Sequence, residues 1–192
     1  QGVQHFYLYN NNSSDEFREV LNPYLVSGEV TLREWPYTYE EGKHGDWIAI
    51  QSDAYKDCLK KDGGENRWMA FIDIDEFLFC PIGQKVSEFL KTYHRYPGIG
   101  VNWLKFGTSG IEDLSPGTLL IEALVRCSHH YDNENRWYKS IVQPRWVKNS
   151  ATAHYFFYKK NRLAVDEYKK PLESRNYTKV VTFDKIRINH YW

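Results

Sequence analysis

The chain has 192 residues, with 25 basic and 25 acidic side chains and a formal net charge of zero. That length supports one domain with a core of its own. The charge balance removes the general electrostatic ground for binding nucleic acid. Hydrophobic residues make up 42 %, an ordinary share, whereas aromatics reach 17 %. Most of these aromatics are expected in the core, and some are candidates for stacking on a sugar or a base. Cys58, Cys80 and Cys127 match no metal-knuckle spacing and lie among apolar residues, so buried thiols are expected, which favours a reducing compartment. No apolar run is long enough to span a membrane and no signal peptide is visible. The chain begins at Gln1 with strand-like residues and reads as a piece of something longer, so any membrane association would come from segments outside it.

In chain order, residues 5–9 read as a short strand. A polar turn over 10–15 follows, then a helix from about Asp15 to Leu21 that Pro23 should stop. Residues 29–35 read as a strand and 40–46 as a polar loop. Asp46 is placed to cap a helix over 47–60, whose apolar stripe is edged by Gln51. The run from Trp68 to Phe79 reads as a strand buried on both faces, of the kind found in mostly parallel sheets. Val86, Phe89, Leu90 and Tyr93 show helical spacing, residues 99–106 a strand, and 119–126 a short helix. Residues 140–147 and 151–158 read as neighbouring strands, 159–182 as a charged, weakly patterned tract, and 186–192 as a final strand. Alternating strands and helices argue for an α/β fold with a mixed sheet.

The chemistry concentrates at Asp73 and Asp75. On a strand they should point to one side, and at a strand end they would lie where open α/β sheets bind ligands. Two carboxylates this close repel each other unless a cation lies between them. Oxygen ligands suggest Mg²⁺ or Mn²⁺, and a nearby histidine tilts the choice to Mn²⁺. His154, His190 and the His129-His130 pair are the candidates for that histidine.

Several blocks resemble sugar-nucleotide-dependent glycosyltransferases of the GT-A fold, and most closely glycosyltransferase family 92 and related family 2 branches. They are residues 5–15, 51–58, 68–79, 106–110, 139–144 and 188–192, in the family's order and across nearly the whole chain. The resemblance implies one domain over residues 1–192 with a Rossmann-like mixed sheet flanked by helices. GT-A domains usually open with a strand and helix ahead of the block matching residues 5–15. That unit is missing here, so part of the uridine pocket is expected to be absent. Asp73 and Asp75 look like the DxD that binds Mn²⁺ (or Mg²⁺) and, through it, the diphosphate of a UDP-sugar. His190 looks like a further metal ligand, with His154 still open for that role. Asn11 and Ser13 fall where relatives contact the uridine, although Asn11 replaces an acid. Gln51 lies in a matching block, and Lys139 matches a lysine that could meet the diphosphate. If transfer inverts the anomeric centre, a carboxylate must take the proton of a carbohydrate acceptor, and Glu112 and Asp113 are the candidates. A bacterial or viral member would be cytoplasmic, and a eukaryotic one could lie in the Golgi lumen.

Two other classes compete with this reading. Haloacid-dehalogenase-like phosphatases also end an apolar strand in Asp-x-Asp, but theirs continues to Thr or Val where Phe77 stands here. A non-catalytic glycan-binding module of the same fold is the other.

Overall fold

The computed structural model describes residues 1–38, 44–115 and 117–191, and of residues 44–46 only the backbone. The architecture is mixed α/β, as expected. In chain order the elements are β1 (Phe6–Asn10), α1 (Phe17–Ser27), β2 (Val30–Glu34), α2 (His44–Asp62), β3 (Met69–Ala70), β4 (Glu76–Phe79), α3 (Val86–Phe89), β5 (Gly98–Phe106), α4 (Leu120–Ala123), β6 (Tyr138–Val142), β7 (Val147–Ser150), β8 (Phe156–Tyr158) and β9 (Arg187–Tyr191).

The described strands form three sheets. β1 and β2 pair in parallel, β7 and β8 pair antiparallel, and the main sheet runs β3-β6-β5-β9-β4. In that sheet β9 is parallel to β5, and the other pairings are antiparallel. Residues 71–75 alone join the two outer strands, β3 and β4, so the sheet curls to bring its edges near each other. β9 sits between β5 and β4, with Lys105 opposite His190 on one side and Glu76 opposite His190 on the other.

Both faces of the sheet are covered. Neighbouring residues Ile141 and Val142 of β6 belong to different apolar clusters, one holding Phe89, Ile99, Val101 and Ile188, the other Met69, Tyr138, Phe156 and Tyr158. The aromatic excess is only partly core: Phe71, Phe89, Tyr93, Tyr138, Phe156 and Tyr158 are buried, whereas Phe6, Tyr24, Phe77, Tyr131 and Tyr177 are among those that stay exposed. The buried rings pack close enough to require glycine on β5, where a Cβ at Gly98 would lie 2.3 Å from the Tyr158 hydroxyl oxygen.

Several expectations are corrected. The apolar run of residues 68–79 is not one strand buried on both faces. It is a two-residue and a four-residue strand with a turn between them, and the turn leaves Ile74 94 % exposed. The strand buried on both faces is β6, all five of whose residues are buried. Helix α1 passes through Pro23 and ends at Gly28, whose φ of 77° and N–H to Leu25 O close it. No residue of α1 is buried. Helix α2 begins before Asp46, which therefore lies inside it; its side chain, and residues 40–43 of the expected loop, lie outside the described residues. The helix expected over 119–126 shrinks to four residues. Residues 140–147 and 151–158 do not pair as wholes, because the chain turns at Pro144–Trp146 and it is β7 that pairs with β8. Cys58 and Cys80 are buried thiols, but Cys127 is exposed because it lines an open cleft at the end of β5. Among the described residues no helix is long and apolar enough to cross a membrane.

Candidate active site

The turn after β3 is closed by its own acids. Phe71 N–H makes a last ladder bond to Ser140 O at 3.2 Å. Asp73 N–H then donates to Glu76 Oε2 at 2.9 Å, and Glu76 N–H returns to Asp73 O at 3.2 Å. Because this is a turn, side-chain alternation lapses and the two aspartates meet different partners. Asp73 accepts from Gln51 Nε2 of α2 on Oδ1 (2.6 Å) and from Lys139 Nζ of β6 on Oδ2 (2.8 Å). Asp75 faces His190 of β9, with Oδ2 3.5 Å from Nε2, and its carbonyl accepts Tyr191 N–H at 3.0 Å.

The corner is buried on its inner side, while the Asp73 and Asp75 side chains stay 37 % and 40 % exposed. Lys139 is only 1 % exposed and stands between Asp73 and Glu76, 3.7 Å from the latter. Burial drives the Glu76 carboxyl up to about 7, against the opposing pull of Lys139. The Tyr55 hydroxyl is raised by burial and by the charges of Asp73 and Glu76. Burial lowers His190 from its ordinary value, with Asp75 opposing, and holds His154 down to about 4, with the Lys139 charge adding to the effect. Both imidazoles are therefore neutral near pH 7, the form in which histidine binds a metal. They pack on Trp103, with ring centroids 4.5 Å away for His190 and 5.4 Å for His154.

Of the two histidines left open by the sequence, His190 is the one that faces an aspartate. The Nδ1 of His154 lies 2.9 Å from Tyr138 O. Ligands about 2.1 Å from one ion at roughly right angles lie about 3 Å apart, so the Asp75–His190 spacing suits two ligands of a divalent cation. Asp73 spends both oxygens on Gln51 and Lys139. Among the described residues no three His, Cys, Asp or Glu side chains are gathered around one point. The residues present thus fit an ion held by few protein ligands and completed by phosphate oxygens, a common arrangement for Mg²⁺ and Mn²⁺.

The remaining candidates spread outward from this corner. Asn11 Oδ1 accepts Tyr37 N–H (2.9 Å) and Ser13 N–H donates to Asn10 Oδ1 (3.0 Å), which folds the turn after β1 against the loop after β2. Trp35 Nε1–H donates to Ile50 O, so α2 touches that loop one residue before Gln51 reaches Asp73. Glu112 and Asp113 are exposed on the loop after β5. His129 and His130 make local contacts with Tyr131 and Phe183. Sequence reasoning missed Glu76, Tyr55 and Trp103. Only Glu76 left a signal: it shares the inward phase of β4 with Leu78, and an acid at such a position needs a reason to be there.

The model of glycosyltransferase family 92 matches residues 1–191. The chain belongs to glycosyltransferase family 92. It is 36 % identical over 100 residues to a family 92 protein of Oryza sativa subsp. japonica, covering 52 % of this chain and 15 % of that one. It is 29 % identical over 93 residues to galactan β-1,4-galactosyltransferase GALS3 of Arabidopsis thaliana, covering 48 % and 18 %. It is 25 % identical over 175 residues to β-1,4-galactosyltransferase galt-1 of Caenorhabditis elegans, covering 88 % and 38 %. The chain thus spans well under half the length of these relatives. Family membership sets aside the phosphatase reading.

Proposed function

We propose that this chain is a metal-dependent, GT-A-type transferase domain that moves a sugar from a UDP-sugar to a glycan hydroxyl, with galactose the sugar that the names of its relatives favour. The observation that carries the proposal is the Asp75–His190 pair, 3.5 Å apart beside the contact of Asp73 with the buried Lys139, on a family 92 chain.

Glycosyl transfer makes the bond from the anomeric carbon to the diphosphate break, and negative charge gathers on the leaving oxygens. A cation held by Asp75 and His190 would neutralise that charge as a Lewis acid. The protein's part is positional. Gln51 and Lys139 fix the Asp73 carboxylate from two sides, so the DxD turn keeps one shape. Lys139 supplies its charge from beneath Asp73 rather than from the solvent side, since it is itself buried. Asn11 and Ser13, tied to the turn after β1, are the proposed uridine side, joined to the metal side through α2. Glu112 and Asp113 stay candidates for the base if the reaction inverts.

UDP release from UDP-galactose by the full-length protein, with and without Mn²⁺, tests this reading. Metal-dependent release should fall at least about 100-fold in Asp75→Ala, the loss typical of removing a transition-state contact. Release that ignores both metal and substitution would sink it, and glycan binding without donor turnover would point to a non-catalytic module.

A further inference from the structure

A cleft of about 490 Å³ opens where β5 and β9 end, lined by Phe106, Ser109, Arg126, Ser128, Asp132 and Glu134. It borders the candidate active site. Lys105, also in its lining, stands opposite His190 in the sheet. The Phe106 ring stacks on Tyr191 at 4.8 Å, and Tyr191 N–H holds the carbonyl of Asp75. The floor of the cleft is thus one residue step from both groups proposed to hold the cation.

The wall is fixed by a buried amide. Asn135 is 0 % exposed, and its Oδ1 accepts from Lys105 N–H and Ser128 Oγ–H, each at 3.1 Å. Its Nδ2 donates to His129 O at 2.9 Å. Gly107 N–H to Arg126 O and Ser128 N–H to Lys105 O lay residues 126–128 along the end of β5. Ser109 Oγ accepts Arg126 N–H at 3.0 Å. Asp132 caps the next turn by accepting Glu134 N–H at 2.9 Å, and Glu134 pairs with Lys105 at 3.5 Å. Tyr131, on the same loop, is 86 % exposed.

This lining offers donors and acceptors side by side, with a bare aromatic ring on the adjoining loop. Sugar hydroxyls both donate and accept, and sugar C–H faces stack on aromatic rings. A phosphate would meet two carboxylates, and an apolar ligand would strip water from the charged side chains of Arg126, Asp132 and Glu134. We infer that the cleft is the acceptor subsite, in which Arg126 and Glu134 hydrogen-bond the terminal sugar of a carbohydrate chain and Tyr131 stacks on it. The acceptor role rests on the transferase reading above; carbohydrate binding by the cleft does not.

The test uses the full-length protein on an array of oligosaccharides that includes β-1,4-galactan fragments, beside a calorimetric titration with UDP and Mn²⁺. Tyr131→Ala and Glu134→Gln should each weaken glycan retention about tenfold, as expected for losing one stacking or charged contact, while UDP–Mn²⁺ binding stays at the wild-type level. Glycan retention unchanged in both variants, or a wild-type protein retained by no oligosaccharide, overturns the subsite. So does a parallel loss of UDP–Mn²⁺ binding in both. A wild-type protein that binds glycan but not UDP–Mn²⁺ would end the transferase reading and leave the carbohydrate cleft standing.

Discussion

Glu76 and Glu167 are both buried carboxylates, and the regions around them meet that burial differently. Glu167 Oε1 accepts Asp184 N–H at 3.0 Å, and its Oε2 accepts Lys185 N–H at 2.8 Å and Ile186 N–H at 2.9 Å. It clasps the tract before β9 with its hydrogen-bonding capacity well used. Glu76 accepts one backbone N–H, from Asp73, and its Oε1 has no hydrogen-bond partner among the described residues. Its carboxyl is pushed up to about 7 by burial. A fold that satisfies one buried acid and leaves another short is spending stability where the second one lies. That place is the DxD turn.

Glu167→Ala gives the largest expected effect. It strands three backbone donors and should cost roughly 3–5 kcal/mol, a fall in melting temperature on the order of 10 °C for a chain of this size. A thermal melt checks it, and a loss as small as that of a surface substitution would erase the contrast.

His154 extends the comparison to pH. Its folded value of about 4 lies below the ordinary 6.5, so the unfolded chain takes up a proton first. Its contribution is complete above pH 6.5 and is lost as pH falls through 4, with a ceiling of about 3 kcal/mol. Glu76 works the other way: raised from 4.5 to about 7, its contribution is complete below pH 4.5 and is lost as pH rises through 7. Denaturant titrations from pH 4 to 7 should therefore show a shallower acid loss in His154→Gln than in the parent. Parallel curves would mean that the imidazole is not held neutral.

Glu76→Gln should have the smallest effect on folding, under about 1 kcal/mol, because the amide oxygen still accepts Asp73 N–H and a poorly solvated charge is gone. Mn²⁺ affinity should nevertheless drop about tenfold, since the turn that aims the aspartates loses its anionic tie. A large loss of stability with unchanged Mn²⁺ affinity would make Glu76 a clasp like Glu167.

Much of this corner was legible in the residues. The paired acids, Gln51, Lys139 and His190 all belong to the blocks that resemble glycosyltransferase family 92, and the structure brings Asp73 to Gln51 and Lys139, and Asp75 to His190. The break in the strand was not legible. Met69, Phe71, Ile72 and Ile74 look continuous with β4, and the turn is set by hydrogen bonds between Asp73 and Glu76 that have no hydrophobic period. The cleft was hidden for a different reason. Arg126 falls at the end of the helix expected over 119–126, and no pattern marks Asp132 or Glu134 until Asn135 and the end of β5 arrange them. The extent of helix α1 also escaped the pattern, because the helix runs on through Pro23 to Gly28.

The place of β9 bears on when the site comes into being. The last described strand in the chain lies inside the sheet, between β5 and β4, and carries both His190 and the N–H that holds Asp75. During synthesis the DxD turn emerges long before these partners do, and the pairings that complete it are distant in sequence and slow to form. Until that strand is in place, β4 has no neighbour in the main sheet and the aspartates have no histidine. The meeting of Asp75 and His190 is therefore a late event in folding, tied to the closing of the sheet itself.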